Sequence, residues 1–229
     1  MTAPRLIRLD SADKARERPP GARNDIHFTE AQIRPLVTAF SPPGGRVLDP
    51  FSGYGTTIVV ADRLGRVGTG IELQEQRTAS SAARLPAGSR SRFITGDVRD
   101  WDRLGLGDFD LCLTSPPYMA RHDHPENPLT AFRTMDGSYG RYLADLADIF
   151  ATIGRHLRPG GRIGVCVGNF RDSTGKVTPL AFDVGHALSA VLEFEGETYF
   201  EWSEPSTSLT GDYCLLFSAR DAGSSGQGS

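Results

Sequence analysis

The sequence predicts an α/β fold built on one seven-stranded, mostly parallel sheet, with a terminal hairpin supplying one antiparallel strand. Three observations carry this expectation. Short apolar runs at 46–51, 67–73, 92–97, 109–113 and 162–170 alternate with stretches of helical periodicity, the pattern of parallel strands joined by crossover helices. A glycine turn at 52–57 follows the first run and opens a helix. Two further extended runs, 197–202 and 212–219, flank a Ser/Thr/Gly/Pro-rich turn and read as the closing pair.

The 229 residues suffice for one sizeable core, so a single domain over 24–220 is expected. Residues 1–23 read as a flexible basic arm carrying Arg5, Arg8, Lys14, Arg16, Arg18 and Arg23, either a solvated tail or an arm that steers nucleic acid. Residues 221–229 are Gly/Ser-rich and read as a disordered tail. No run approaches the length of a membrane span and no secretory apolar region is visible, which makes the cytoplasm the expected location and a membrane partner unexpected. The formal charge of -3 means that any attraction for nucleic acid must come from a local patch. Cys112, Cys166 and Cys214 lie in apolar runs without a CxxC partner and read as buried, inert thiols, which argues against a cysteine nucleophile attacking a base ring.

In chain order, Thr29 followed by Gln32 is a capping-box pattern that starts a helix through Ile33, Leu36, Val37 and Phe40, with Pro35 predicting a kink or a late start. The next strand ends at Asp49-Pro50-Phe51, and Ser52-Gly53-Tyr54-Gly55-Thr56-Thr57 turns into a helix. Such a turn also opens dinucleotide folds. Here Ile58 stands where the third glycine of that fingerprint would fall, and no phosphate-cradling Gly-Lys-Ser/Thr follows. A cofactor without phosphate suits the turn better. Asp49 is placed to accept from the ammonium of a zwitterionic amino acid, while Gly53 and Gly55 admit the ligand close to the backbone. The second strand ends at Glu72-Leu73 and the third at Asp97-Val98, so three consecutive strands each terminate in a carboxylate.

The fourth strand runs into Thr114-Ser115-Pro116-Pro117-Tyr118 at its carboxyl end, where open α/β sheets bind ligands. The two prolines remove two backbone donors and hold Ser115 extended, leaving a rigid rim rich in acceptors. Residues 119–138 show no periodicity and are expected to form a substrate lid or recognition loop; its His122-Asp123-His124 lacks further ligands at metal spacing, so no metal site is assigned. Arg121 and Arg133 are the charges expected nearest the substrate. Tyr139, Tyr142, Leu146, Ile149, Phe150 and Ile153 then mark an amphipathic core helix stopped by Pro159-Gly160-Gly161, and Thr178-Pro179 opens another.

With Ser115-Pro116-Pro117-Tyr118 following the cofactor-type turn, the chain resembles, over 24–220, the S-adenosylmethionine-dependent DNA amino-methyltransferases of the N4-cytosine and N6-adenine type. Their signature is (Ser/Asp/Asn)-Pro-Pro-(Tyr/Phe), and the Ser form is most similar to the N4-cytosine branch. The resemblance implies a Rossmann-like class I methyltransferase with S-adenosyl-L-methionine as cofactor and nucleic acid as partner, DNA favoured over RNA. It implies that Thr29 closes over the amino-acid end of the cofactor, that Asp49, Phe51, Gly53, Gly55, Thr56, Thr57 and Thr114 belong to its site, that Glu72 with Leu73 takes the ribose hydroxyls, and that Asp97 with Val98 reads the adenine. The Ser115 hydroxyl and the Pro116 carbonyl would accept the two hydrogens of the target amine, and Tyr118 would stack on its ring.

The order of cofactor turn before Ser-Pro-Pro-Tyr departs from the permuted arrangement of many N4-cytosine enzymes, and there is no room for a large target-recognition domain. A homodimer or an accessory recognition partner would ease that gap. Adenine N6, an RNA base, or a small-molecule amine of a biosynthetic pathway are the alternative targets, and a noncatalytic cofactor-fold module fits least.

Overall fold

A computed structural model describes residues 4–22, 27–121, 128–129, 138–172, 174–206 and 209–220. Its strands are β1 (Leu6–Leu9), β2 (Arg46–Asp49), β3 (Val67–Glu72), β4 (Arg92–Thr95), β5 (Phe109–Thr114), β6 (Leu157–Arg171), β7 (Val177–Thr178), β8 (Glu193–Trp202) and β9 (Leu209–Ser218). The helices are α1 (Asp13–Arg16), α2 (Glu30–Phe40), α3 (Thr56–Arg63), α4 (Glu75–Ala82), α5 (Tyr139–Arg155) and α6 (Leu180–Ser189). One sheet runs in the order β1-β8-β9-β6-β5-β2-β3-β4, with β7 attached to β6. Among the described residues β9 runs antiparallel to both its neighbours and the two-residue β7 is antiparallel to β6; the other pairings are parallel.

The sheet has nine strands rather than the expected seven, and the additions are β1 and β7. β1 corrects the reading of residues 1–23 as a flexible arm. β1 pairs alongside β8, Ile7 and Leu9 are buried in the cluster that holds Ile33, Leu36 and Val37 of α2, and the Arg5 and Leu9 carbonyls accept from the Tyr199 and Ser203 amides at 2.9 and 2.8 Å. A four-residue strand with Arg5 before it and Arg8 within it carries too little periodicity to be read alone. Its partner lies about 190 residues along the chain, so only the completed sheet edge selects it. The 221–229 tail and most of the 119–138 loop, including His122-Asp123-His124 and Arg133, lie outside the described residues.

Helices cover both faces. On one, α5 and α6 pack Tyr142, Leu146, Phe150, Val184 and Leu188 against β5, β6 and β9; on the other, α2 and α3 pack Ile33, Leu36, Val37 and Val60 against β2, β5 and β1. The Thr29 capping box is formed, with the hydroxyl accepting from the Gln32 amide at 3.3 Å and the Gln32 carboxamide oxygen accepting from the Thr29 amide at 3.0 Å. Pro35 sits inside α2, one turn in.

The chain order positions the site. It leaves β2 for β3 and β4 on one side, then returns to lay β5 along the other side of β2. Crossovers therefore diverge at β2 and β5, and a crevice opens at their carboxyl ends, the switch point at which such sheets hold ligands.

Candidate active site

A cavity of about 800 Å³ occupies that crevice. Asp49, Glu72, Asp97 and Ser115 through Tyr118 all reach its wall, so the three strand-end carboxylates and the Ser-Pro-Pro-Tyr segment share one chamber.

Asp49 closes β2 and is 2% exposed. Thr114, at the end of the neighbouring β5, donates from Oγ1 to Asp49 Oδ1 at 2.6 Å, and the Phe51 amide donates to the same oxygen at 3.2 Å. Burial pushes the Asp49 carboxyl up to about 6, with nearby Glu72 adding to the shift and the hydrogen bonds opposing it. A buried carboxylate destabilised in this way is prepared for a cation, and the ammonium of an amino-acid ligand meets that requirement. Thr114 acts on the cavity through Asp49 and does not itself line it.

The turn after β2 holds the second acid. The Gly53 amide donates to Glu72 Oε2 at 3.0 Å and the Gln74 amide to Oε1 at 2.9 Å, so the carboxylate is locked between the glycine turn and the start of α4. Gly55 caps α3 at φ +78°, and a Cβ there would stand 2.5 Å from the Phe93 ring. Glycine is required at this position on both counts. Phe51, Gly53, Thr56, Leu73 and Val98 line the cavity, whereas Gly55 and Thr57 support the turn from behind.

Asp97 ends the approach from β4 and begins a short 3-10 turn. Arg99, two residues on, grips its carboxylate at 2.6 to 3.2 Å while the Arg99 amide donates at 2.9 Å. The acid is thereby oriented and charge-compensated, and it remains on the cavity wall.

The Ser-Pro-Pro-Tyr rim is fixed from two directions. Tyr142 of α5 donates to the Pro117 carbonyl at 2.9 Å, and the Gly168 amide of β6 donates to the Tyr118 hydroxyl at 2.7 Å. The Tyr118 ring stacks on Phe170 with centroids 5.7 Å apart. Burial, reinforced by Asp212, pushes the Tyr118 phenol far above its usual range, while Ser115 and the Gly168 amide oppose the shift. Tyr118 is thus a neutral aromatic wall at physiological pH. Burial likewise raises the Cys112 and Cys166 thiols well above the ordinary value, Cys214 adding to the shift at Cys166, so neither is a thiolate nucleophile.

Two expectations are not met by the placement of the side chains. Thr29 is fully buried in its capping box and stays behind the wall; Phe28 and Gln32 beside it reach the cavity. Arg121 turns away from the chamber and forms a two-pronged pair with Asp183 of α6 at 3.0 and 2.6 Å. Other wall residues had escaped the sequence reading. Lys14 and Arg18 come from the N-terminal segment, and Trp202 and Asp212 from β8 and β9. They lie far apart in sequence and share no motif, so no local signal could have gathered them.

Residues 10–83 match the family described as DNA methylase. The chain is 48% identical over 66 residues to the type II methyltransferase M.SmaI of Serratia marcescens and 41% identical over 66 residues to the type II methyltransferase M.ScaI of Streptomyces caespitosus. Each match takes in 29% of this chain and 22% of the relative, so the chain spans under a quarter of their length. In structure it is similar to a TehB-like S-adenosylmethionine-dependent methyltransferase from Corynebacterium glutamicum, with a TM-score of 0.54, 21% identity, and 87% of this chain and 91% of that one covered. The fold is therefore that of the class I S-adenosylmethionine-dependent methyltransferases.

Proposed function

We propose, starting from a chain whose residues 10–83 match the family described as DNA methylase and whose fold is that of S-adenosyl-L-methionine-dependent methyltransferases, that it uses S-adenosyl-L-methionine to methylate an exocyclic amino group of a nucleobase, with cytosine N4 in DNA as the target. The observation that carries this reading is the meeting of Ser115-Pro116-Pro117-Tyr118 with Asp49, Glu72 and Asp97 in one cavity. When bound, S-adenosylmethionine supplies an electrophilic methyl carbon. Asp49 holds the ammonium of its amino-acid end, Glu72 accepts from the ribose hydroxyls, and Asp97 with the Val98 amide meets the adenine.

An exocyclic amine conjugated to an aromatic ring is a poor nucleophile, and the residues of the rim address that weakness. The Ser115 hydroxyl and the Pro116 carbonyl accept its two hydrogens and favour a pyramidal nitrogen whose lone pair points toward the cofactor. Tyr118 holds the ring in plane by stacking, and its hydroxyl, tied to Gly168, keeps that plane fixed. Because the amine leaves the reaction with a surplus proton, Ser115 or water carries it away without a strong base.

The test is nucleoside mass spectrometry on DNA and RNA from a methylation-deficient host expressing wild type or Ser115→Ala. N4-methylcytosine in DNA, absent with the variant, is expected. N6-methyladenine in its place moves the target to adenine. No mark in either nucleic acid, with cofactor still bound by the purified protein, points instead to a small-molecule amine.

A further inference from the structure

Asp183 stands in the first turn of α6, outside the cavity wall, and two chain segments that carry the rim converge on it. Arg121 follows Tyr118 by three residues. Its Nε donates to Asp183 Oδ2 at 3.0 Å, its Nη2 to Oδ1 at 2.6 Å, and its backbone amide to the hydroxyl of buried Thr178, just ahead of α6, at 3.1 Å. Tyr139, the first residue of α5, donates from its hydroxyl to Asp183 Oδ2 at 2.7 Å. The Tyr139 ring stacks on that of Tyr142 with centroids 5.9 Å apart, and Tyr142 donates to the Pro117 carbonyl at 2.9 Å. The network is therefore a closed circuit. Pro117 and Tyr118 lead along the chain to Arg121, Arg121 pairs with Asp183, and Asp183 leads through Tyr139 and Tyr142 back to Pro117. Among the described residues the Asp183 carboxylate takes its side-chain hydrogen bonds from Arg121 and Tyr139 alone, and none joins it to Asp49, Glu72 or Asp97.

We propose that Asp183 is a positioning residue for methyl transfer. By holding Arg121 and Tyr139 at once it fixes the backbone of the rim, so that the Ser115 hydroxyl and the Pro116 carbonyl stand where the target amine must be met. The inference rests on the role given above to the rim. Two consecutive prolines stiffen the segment, so a displacement of the Pro117 carbonyl is passed to Pro116 and Ser115 instead of being absorbed between them. An error of about 1 Å in the approach of reacting groups costs on the order of 100-fold in rate. The Arg121 side chain is 43% exposed, and an ion pair with so open a partner adds little to the stability of the whole fold. What Asp183 supplies is geometry, and it supplies it to the substrate half of the cavity while the three carboxylates of the cofactor half keep their own supports.

Asp183→Asn tests this with little change of volume, because one oxygen remains to accept while the new amide faces the donors of Arg121 and opens the two-pronged pair. In the full chain, tritium transfer from labelled S-adenosylmethionine to denatured DNA from a methylation-deficient host should show kcat reduced roughly 10- to 100-fold. The KM for DNA and the calorimetric affinity for S-adenosylhomocysteine should each stay within about twofold, and the Tm within about 4 °C of wild type. Tyr139→Phe is the second variant. It keeps the ring on Tyr142 and removes only the hydroxyl that reaches Asp183, so kcat should fall by about threefold or more. Combined with Asp183→Asn it should lower kcat by less than the product of the two separate effects, as expected of residues that act through one circuit. Wild-type kcat in both single variants would overturn the inference and leave the nucleobase reading standing. A loss of turnover matched by an equal loss of cofactor affinity would overturn it as well, since that marks a general loosening of the fold. No transfer by the wild type to this DNA or to RNA from the same host, with S-adenosylhomocysteine still bound, overturns the nucleobase reading and this inference with it.

Discussion

Replacing Asp49 by asparagine should stabilise the cofactor-free protein and weaken its hold on the cofactor. The carboxyl is 2% exposed and its folded pKa is raised by burial to about 6 from an ordinary 3.8. A rise of roughly two units corresponds to about 3 kcal/mol against the ionised form. Between pH 3.8 and about 6 the folded state keeps a proton that the unfolded state has released, so wild-type stability falls as pH rises through that window and levels off above it. Asparagine carries no such charge. Its oxygen can keep the hydrogen bond from Thr114, and its amide adds a donor that needs a partner, which offsets about 1 kcal/mol or more. The net expectation is a variant more stable than wild type by roughly 1 to 2 kcal/mol at pH 8, and less stable by about 1 kcal/mol near pH 4, where the wild-type carboxyl keeps its proton and only the cost of the added donor is left. Denaturant unfolding of both proteins without cofactor at pH 4, 6 and 8 measures this. The same substitution removes a charge-assisted hydrogen bond to the ligand ammonium, so S-adenosylhomocysteine should bind roughly 10- to 100-fold more weakly at pH 8. Wild-type affinity should be flat above about pH 6 and fall by up to about tenfold per unit below it, as the carboxylate protonates. A variant that binds as tightly as wild type at pH 8, or one less stable than wild type there, would refute the reasoning.

Other perturbations probe the rim and the turn. Tyr118→Phe removes the acceptor for the Gly168 amide and should cost about 1 to 3 kcal/mol in denaturant unfolding while keeping much of the turnover, whereas Tyr118→Ala should lose turnover with cofactor binding intact; equal turnover in the two variants would separate the ring from the reaction. Gly55→Ala places a Cβ against Phe93 in a left-handed backbone and should destabilise by about 2 to 4 kcal/mol, seen as a Tm lower by about 4 to 16 °C; an unchanged Tm would mean that the α3 cap rearranges freely.

Much of the sheet was readable in the chain because its strands obey local rules. β2, β3 and β5 are apolar runs buried by helices on both faces, which leaves an unambiguous signal, and each ends at a polar residue because the sheet's carboxyl edge opens onto the crevice. The Thr29-Gln32 capping box is equally local. β1 was not readable, since a four-residue strand gains its identity only from β8. The split within the cofactor segment has the same cause. Asp49 and Thr29 are both buried polar residues near the turn, yet one faces the chamber and the other turns inward to its own helix.

The alternation of strand and helix, the glycine turn, the carboxylate at each of three strand ends and the Ser-Pro-Pro-Tyr rim were legible in the chain, because all of these are written in residues adjacent along it. Folding of the whole chain was needed to lay β5 beside β2, bringing Thr114 to within 2.6 Å of Asp49, and to gather Lys14, Trp202 and Asp212 at one wall. Those contacts join positions separated by 65, 10 and nearly 200 residues, and no local propensity encodes them. They follow from the order in which strands pair across the sheet, where burial of both faces selects one arrangement for the whole chain at once.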